Sequence, residues 1–313
     1  MTTSIFENKK GILILATLSC FLWGSAFPSL KVGYDILDLN NQTYLYKVLF
    51  AGYRFLLASL MIITYGTLKG MLVPLSKRIL GHLTVLGILQ TSLTYILFYI
   101  GLSNTTGVKG SILIGTGTFF AILFAHFYYH DDKLSLNKVL GLIVGFIGVV
   151  IISLSKGNLD FGFKFTGEGF MIISSMVTAV ASLYAKELSK EISPVIIAGF
   201  QMLIGATLLI VFSGQQIGYT AIAFKGISYL LLVYLAFISA TAFTLWFTLI
   251  KHNKIGKITI YKFQVPIWGA ILSSTLLPGE SLNIGAIIAL GFVVLGIVLV
   301  NLDKPLNRYL KAS

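Results

Sequence analysis

Apolar runs long enough to cross a bilayer recur along this chain, separated by short polar gaps. A helix crossing the hydrocarbon needs about 20 mainly apolar residues. On that rule the pattern predicts spans at 11–33, 43–66, 79–102, 108–128 and 138–155. A second set is predicted at 167–187, 194–213, 227–250, 256–277 and 282–302. The weakest division is Ser103-Asn104-Thr105-Thr106-Gly107, whose polar and glycine content marks a turn rather than one very long helix. The expected fold class is an all-α polytopic membrane protein of ten transmembrane helices.

Composition strengthens that expectation. Hydrophobic residues make up 56% of the chain and charged residues 11%, against about 25% charged in a typical soluble domain. A soluble core has no means of hiding so much apolar surface, so the bilayer is the expected solvent. Glu7, Lys9 and Lys10 precede a first run with no convincing small-residue cleavage site, which predicts a retained span rather than a signal peptide. Cys20 is the only cysteine; it permits no intrachain disulfide or cysteine-based metal cage and is expected to pack as a small hydrophobe.

The net charge of +12 points to membrane orientation before nucleic acid, because Lys and Arg fall in the gaps between apolar runs instead of on one soluble face. Placing the N-terminus inside puts fifteen of the 23 basic residues on the inner side and six on the outer, with Arg54 and Lys262 within spans. Basic excess marks the cytoplasmic face. Both termini are therefore predicted to be cytoplasmic, and no nucleic-acid partner is expected.

The two halves can be laid over each other. Ala51-Gly52-Tyr53-Arg54 corresponds to Ala198-Gly199-Phe200-Gln201, 147 residues later. A shift of 148 places Asp132 on Glu280, Leu134 on Leu282, Gly148 on Gly296, Lys109 on Lys257 and Tyr99 on Phe247. Each half holds five predicted spans, an odd number, so the second must enter the membrane from the opposite face. Residues 1–155 and 156–313 are thus expected to be inverted repeats that together form one membrane domain. Such halves suit alternating access.

Trp23-Gly24-Ser25, Tyr53-Arg54-Phe55, Pro266-Ile267-Trp268-Gly269-Ala270 and Pro278-Gly279-Glu280-Ser281-Leu282, followed by a glycine-bearing last helix, form an ordered set. With this set the chain resembles the ten-helix metabolite exporters of the drug/metabolite transporter superfamily, the EamA-like group. The resemblance covers nearly the whole chain. It departs at Thr118, where the first half matches Pro266, at Asp132, one carbon shorter than Glu280 and beside Asp131, and at Ala289, which stands opposite Gly141. The resemblance implies export of amino acids or similar small organic solutes across a bacterial plasma (inner) membrane. It implies no cofactor; the expected partners are a small-molecule substrate and the lipid bilayer, with the protein a monomer or homodimer.

Several side chains are candidates for that work. Ser92, Tyr95 and Tyr99 share one helical face of the third span, with Gln90 and Thr94 alongside. A polar band facing lipid would be left unsatisfied, so these residues are expected to wall a cavity or to join helices. Trp23, Tyr184, Trp246 and Trp268 raise the same choice, with an interfacial aromatic belt as a further alternative. Gln264 lies beside Pro266, whose missing N–H and ring clash open a helix locally, so Gln264 and Trp268 are expected to line the cavity.

Arg54 is a central charge that either meets a substrate carboxylate or locks helices by snorkelling or pairing. Lys262 carries the same choice. Asp132 and Glu280 each precede a helix, where a carboxylate caps exposed N–H groups; both are structural candidates with a gating alternative. The glycine stripe Gly141, Gly145 and Gly148, and Ser174, Thr178 and Ala181, are read as helix packing.

Two rivals stand beside transport. A membrane-embedded enzyme needs a nucleophile–base pair or metal set, and only His126, His130, Asp131 and Asp132 approach one, without a convincing ligand pattern. A sensor without transport activity would ordinarily add a soluble domain, for which the gaps are too short. The expectation is a carrier with no catalytic residues and no bound metal.

Overall fold

The computed structural model describes residues 5–105, 107–154, 162–277 and 284–302. Among these residues the regular structure is helical throughout. Eight helical stretches are long and apolar enough to cross a membrane, and Ile112–Tyr128 is a shorter apolar helix. The chain runs as α1 (Lys9–Ile36), α2 (Tyr44–Leu68), α3 (Lys77–Gly87), α4 (Thr94–Ser103), α5 (Gly107–Tyr128) and α6 (Leu136–Leu154). It continues as α7 (Phe170–Leu188), α8 (Pro194–Ile217), α9 (Ile227–His252), α10 (Ile255–Ile258), α11 (Gln264–Leu276) and α12 (Ile284–Asn301).

Local sequence explains the starts. Asn8 caps α1 by accepting from the Gly11 N–H at 2.6 Å. Ser193 caps α8, with Pro194 in its first turn where no N–H is needed.

The expected third span is bridged by a π-helical turn, Ile88–Leu93, that joins α3 to α4. Its cause is a close approach to α8. A Cβ on Gly205 would lie 2.4 Å from the Thr91 Cβ, and one on Gly87 would lie 2.7 Å from the Gln201 carbonyl oxygen. Ser92 and Thr91 fasten the turn, donating to the Gly205 carbonyl at 3.1 Å and to Gln201 Oε1 at 2.8 Å.

The expected ninth span is also interrupted. A 3-10 turn, Thr259–Phe263, separates α10 from α11. Pro266 has no N–H, so the Lys262 carbonyl one helical turn earlier loses its α-helical donor and the backbone tightens before the proline. The Cys20 thiol on α1 donates to the Tyr261 carbonyl within this turn at 3.2 Å.

Helices from the two halves pair extensively, α2 with α8 and α6 with α12. Where α1 packs on α9 and α11, α7 packs on α4 and α5. Small residues permit these approaches. A Cβ on Gly24 would lie 2.5 Å from the Trp268 Cβ, so Trp23-Gly24-Ser25 and Trp268-Gly269 meet at the crossing of α1 and α11. Outward faces carry exposed Leu13, Ile14 and Leu18 on α1, Ile143 and Ile147 on α6, and Ile287, Val294 and Leu295 on α12. Those apolar faces match lipid.

Candidate functional site

A cavity of about 300 Å³ lies inside the bundle, at the lower end of the usual size for small-molecule sites. Trp23 of α1, Arg54 of α2, Gln90 of the π-helical turn, and Thr94, Tyr95 and Tyr99 of α4 supply part of its wall. The rest includes Thr118 of α5, Ser174, Thr178 and Ser182 of α7, Ser239 and Phe243 of α9, and Thr259, Lys262 and Pro266 around the 3-10 turn. The interruptions of the two expected spans therefore both face this space.

Aromatic rings form one side of the cavity. Trp23 stands edge-on to Phe243 with centroids 5.3 Å apart, and Tyr95 is backed by the buried Phe55 at 4.6 Å. Tyr99 joins Tyr34 through their hydroxyls at 3.1 Å.

Two cations reach the cavity. Arg54 is 5% exposed, and its guanidinium carbon lies 4.3 Å from the Phe55 ring centre and 5.8 Å from that of Tyr95. Lys262 Nζ lies 5.6 Å from the Trp23 ring centre and 4.9 Å from that of Trp246. Cation–π contact offsets part of their desolvation. Among the described residues no carboxylate pairs with either side chain, and none lines the cavity. Both heads turn inward to the cavity, where snorkelling would have carried them to a membrane face.

The hydroxyls share one polarity. Thr178 donates to the Ser174 carbonyl, Ser182 to that of Thr178, and Thr259 to that of Ile255, each at 2.9 Å; Ser239 donates to that of Leu235 at 3.0 Å. Each proton is committed to backbone, leaving oxygen lone pairs for an occupant. Ser174 donates across to the Thr94 carbonyl at 2.9 Å, so it packs helices and lines the cavity together. Sequence reading saw only the packing. The spacing of Ser174, Thr178 and Ser182, four residues apart, was the available signal for a polar face.

Other candidates lie away from the wall. Trp246 is buried behind Trp23, with ring centres 5.3 Å apart. Gln264 accepts from Trp268 Nε1–H at 3.3 Å, and Trp268 packs edge-on to Phe21; neither lines the cavity, although Val265 and Pro266 between them do. Tyr184 shares a hydrogen bond of 2.6 Å with His82 Nδ1. Glu280 lies outside the described residues.

Asp132 sits beyond the cavity as a latch. It is 2% exposed, pairs with Lys138 Nζ at 2.6 Å and accepts from the Gly256 N–H at 2.8 Å, tying the loop after α5 to the start of α10. At the other end of α5, Glu168 pairs with Lys109 at 3.0 Å and accepts from Thr105 at 2.6 Å and the Lys164 N–H at 2.7 Å. Sequence reading did not single out Glu168, whose place in a glycine-rich helix start looks like ordinary capping. Among the described residues no group of three or more His, Cys, Asp or Glu is placed to hold a metal.

The sequence profile of the EamA-like transporter family matches residues 10–154 and again 165–302. The chain belongs to the EamA-like transporter family. Its relatives by sequence include an uncharacterized transporter of Archaeoglobus fulgidus, 28% identical over 92% of this chain and 97% of that protein. The uncharacterized transporter YvbV of Bacillus subtilis is 26% identical over 96% of this chain and 94% of its own length. The uncharacterized inner membrane transporter YedA of Escherichia coli K12 is 25% identical over 91% of this chain and 89% of its own. A solved crystal structure shares the fold with a TM-score of 0.76 at 15% identity, covering 94% of this chain and 98% of that one. This EamA-like chain is thus a multi-pass membrane protein of a transporter family, and its cavity is a candidate solute site.

Proposed function

We propose that this protein exports small organic metabolites, amino acids or similar solutes, across a bacterial plasma membrane by alternating access. In this reading ten spans form two inverted five-helix halves with both termini cytoplasmic. The observation that carries it is one internal cavity walled by helices from both halves of a lipid-faced bundle. The exchanged pairings, α1 on α9 and α11 against α7 on α4 and α5, support halves related by a twofold axis. Rocking of one half against the other would open the cavity toward one water phase at a time. The latches Asp132–Lys138 and Glu168–Lys109, at opposite ends of α5, are suited to close the two exits alternately.

Carriage rather than catalysis suits the lining, which among the described residues contains no Cys, His, Asp or Glu. Counterflow of radiolabelled solutes into preloaded proteoliposomes tests the proposal, with accumulation expected for a carrier. Gln90 and Tyr95 are expected to touch solute; Gln90 is 5% exposed and lines the cavity, and its side chain hydrogen-bonds to no described residue. Losing one buried solute contact is worth about tenfold in affinity, so Gln90→Ala and Tyr95→Ala should each raise the half-saturating solute concentration by about that factor. Unchanged counterflow in both variants would remove these residues from the solute path.

A further inference from the structure

The cavity's charge specifies its occupant more narrowly. Resting on the transport reading above, we propose that the solute is a small organic acid, drawn into the cavity as its carboxylate anion by the charges of Arg54 and Lys262, with an apolar body against Trp23 and Phe243.

Three observations carry this. Arg54 and Lys262 both line one cavity, and no described carboxylate pairs with either. A buried cation without a counter-charge is costly, and cation–π contacts with Phe55, Tyr95, Trp23 and Trp246 offset that cost only in part. An anion entering the cavity supplies the missing charge, and a cationic solute meets repulsion from two sides.

The second observation is the contrast within the repeat. Gln201, which stands in the second half where Arg54 stands in the first, is fully buried and accepts from Thr91 at 2.8 Å. It is committed to holding the π-helical turn on α8. Arg54 fastens no neighbouring turn in this way: its guanidinium lies against Phe55 and Tyr95, and its Nε is buried without a hydrogen bond. A guanidinium with a buried, unsatisfied Nε–H on a cavity wall suits a planar oxyanion.

The third is the wall between the charges. Trp23, Phe243 and Tyr95 face the cavity, and Phe55, buried behind them, packs on Tyr95 at 4.6 Å and on Phe243 at 6.4 Å, so aromatic packing continues from the Arg54 site to the Lys262 site. That surface takes an apolar body, and the lone pairs of Thr178 and Ser182 opposite accept from any N–H or O–H the solute carries.

A matched trio of probes tests this: 3-phenylpropanoate, 3-phenylpropanamide and 3-phenylpropylamine, of similar size but charged −1, 0 and +1 at pH 7. Binding to the full chain in lipid nanodiscs is measured by calorimetry. The acid should bind on the order of thirtyfold tighter than the amide, and the amine should not bind. Arg54→Gln and Lys262→Gln should each weaken the acid and leave the amide unchanged, whereas a merely structural role for either residue would weaken both. Equal binding of acid and amide, binding of the amine, or no binding of any probe would overturn the proposal. The comparison within the unaltered protein stands even if a variant fails to fold. Proteoliposome flux separates the two readings: acid-selective binding without flux of labelled acid would overturn transport alone. Flux of the labelled amide or amine equal to that of the acid would overturn the anion assignment alone.

Discussion

Asp132→Ala should destabilise the protein by roughly 3–5 kcal/mol, the usual cost of removing one partner from a buried ion pair. The deletion strands Lys138, whose side chain is 11% exposed and whose ammonium has Asp132 as its carboxylate partner. It also leaves the Gly256 N–H without its acceptor. The loss should appear as a fall of about 10 °C in the thermal midpoint of the detergent-solubilised protein. Asp132→Asn keeps an acceptor for Gly256 but leaves the lysine charge uncompensated, so it should fall between wild type and Asp132→Ala. Adding Lys138→Leu to Asp132→Ala removes the stranded charge and should recover most of the loss. An equal loss in the double variant would mean that the Gly256 hydrogen bond, not the charge, holds the latch.

Gly296→Leu should prevent assembly of the bundle. A Cβ at Gly296 would lie 2.6 Å from the Gly141 carbonyl oxygen and 2.8 Å from the Gly145 Cα, and backbone atoms cannot move aside as a side chain can. The helices α6 and α12 would have to separate along their whole contact, a strain at or above the roughly 1–3 kcal/mol typical of overpacking. Gly291 on the same helix has open space around its Cβ position, so Gly291→Leu is the matched control and should be silent. Size-exclusion chromatography of a fluorescent fusion reads the difference: a monodisperse peak for Gly291→Leu and aggregate for Gly296→Leu. A normal peak for both would show that this crossing is looser than described.

Much of the architecture was legible because the bilayer imposes long apolar runs and the break before Pro266 follows from a missing N–H. The glycine stripe was legible for a similar reason, since close backbone approach needs small residues at helical spacing. The π-helical turn at Ile88–Leu93 was not, because it depends on how closely α8 approaches Thr91. The site was only half legible. Trp23, Gln90, Thr94, Tyr95 and Tyr99 follow from a polar-aromatic face and do line the cavity. Gln264 and Trp268 obey the same logic, yet they satisfy each other and stand off the wall. The hydroxyls of α7 were ambiguous, because a serine bonded to its own helix looks alike in sequence whether it faces a neighbour or a cavity. Sequence left the direction of Arg54 and Lys262 open, since a long basic chain can reach either a membrane face or an interior space.

In the proposed mechanism, opposite insertion of the two halves lets one cavity face either water phase in turn. Its direct test is sidedness labelling at Ser103 and Lys251, two exposed positions related by the repeat's shift. Single cysteines are placed there in a Cys20→Ala background and treated with a membrane-impermeant maleimide in right-side-out and inverted vesicles. Inverted halves require Ser103→Cys to react from the external face alone and Lys251→Cys from the cytoplasmic face alone. Reaction of both from the same face would contradict the inversion, and alternating access with it.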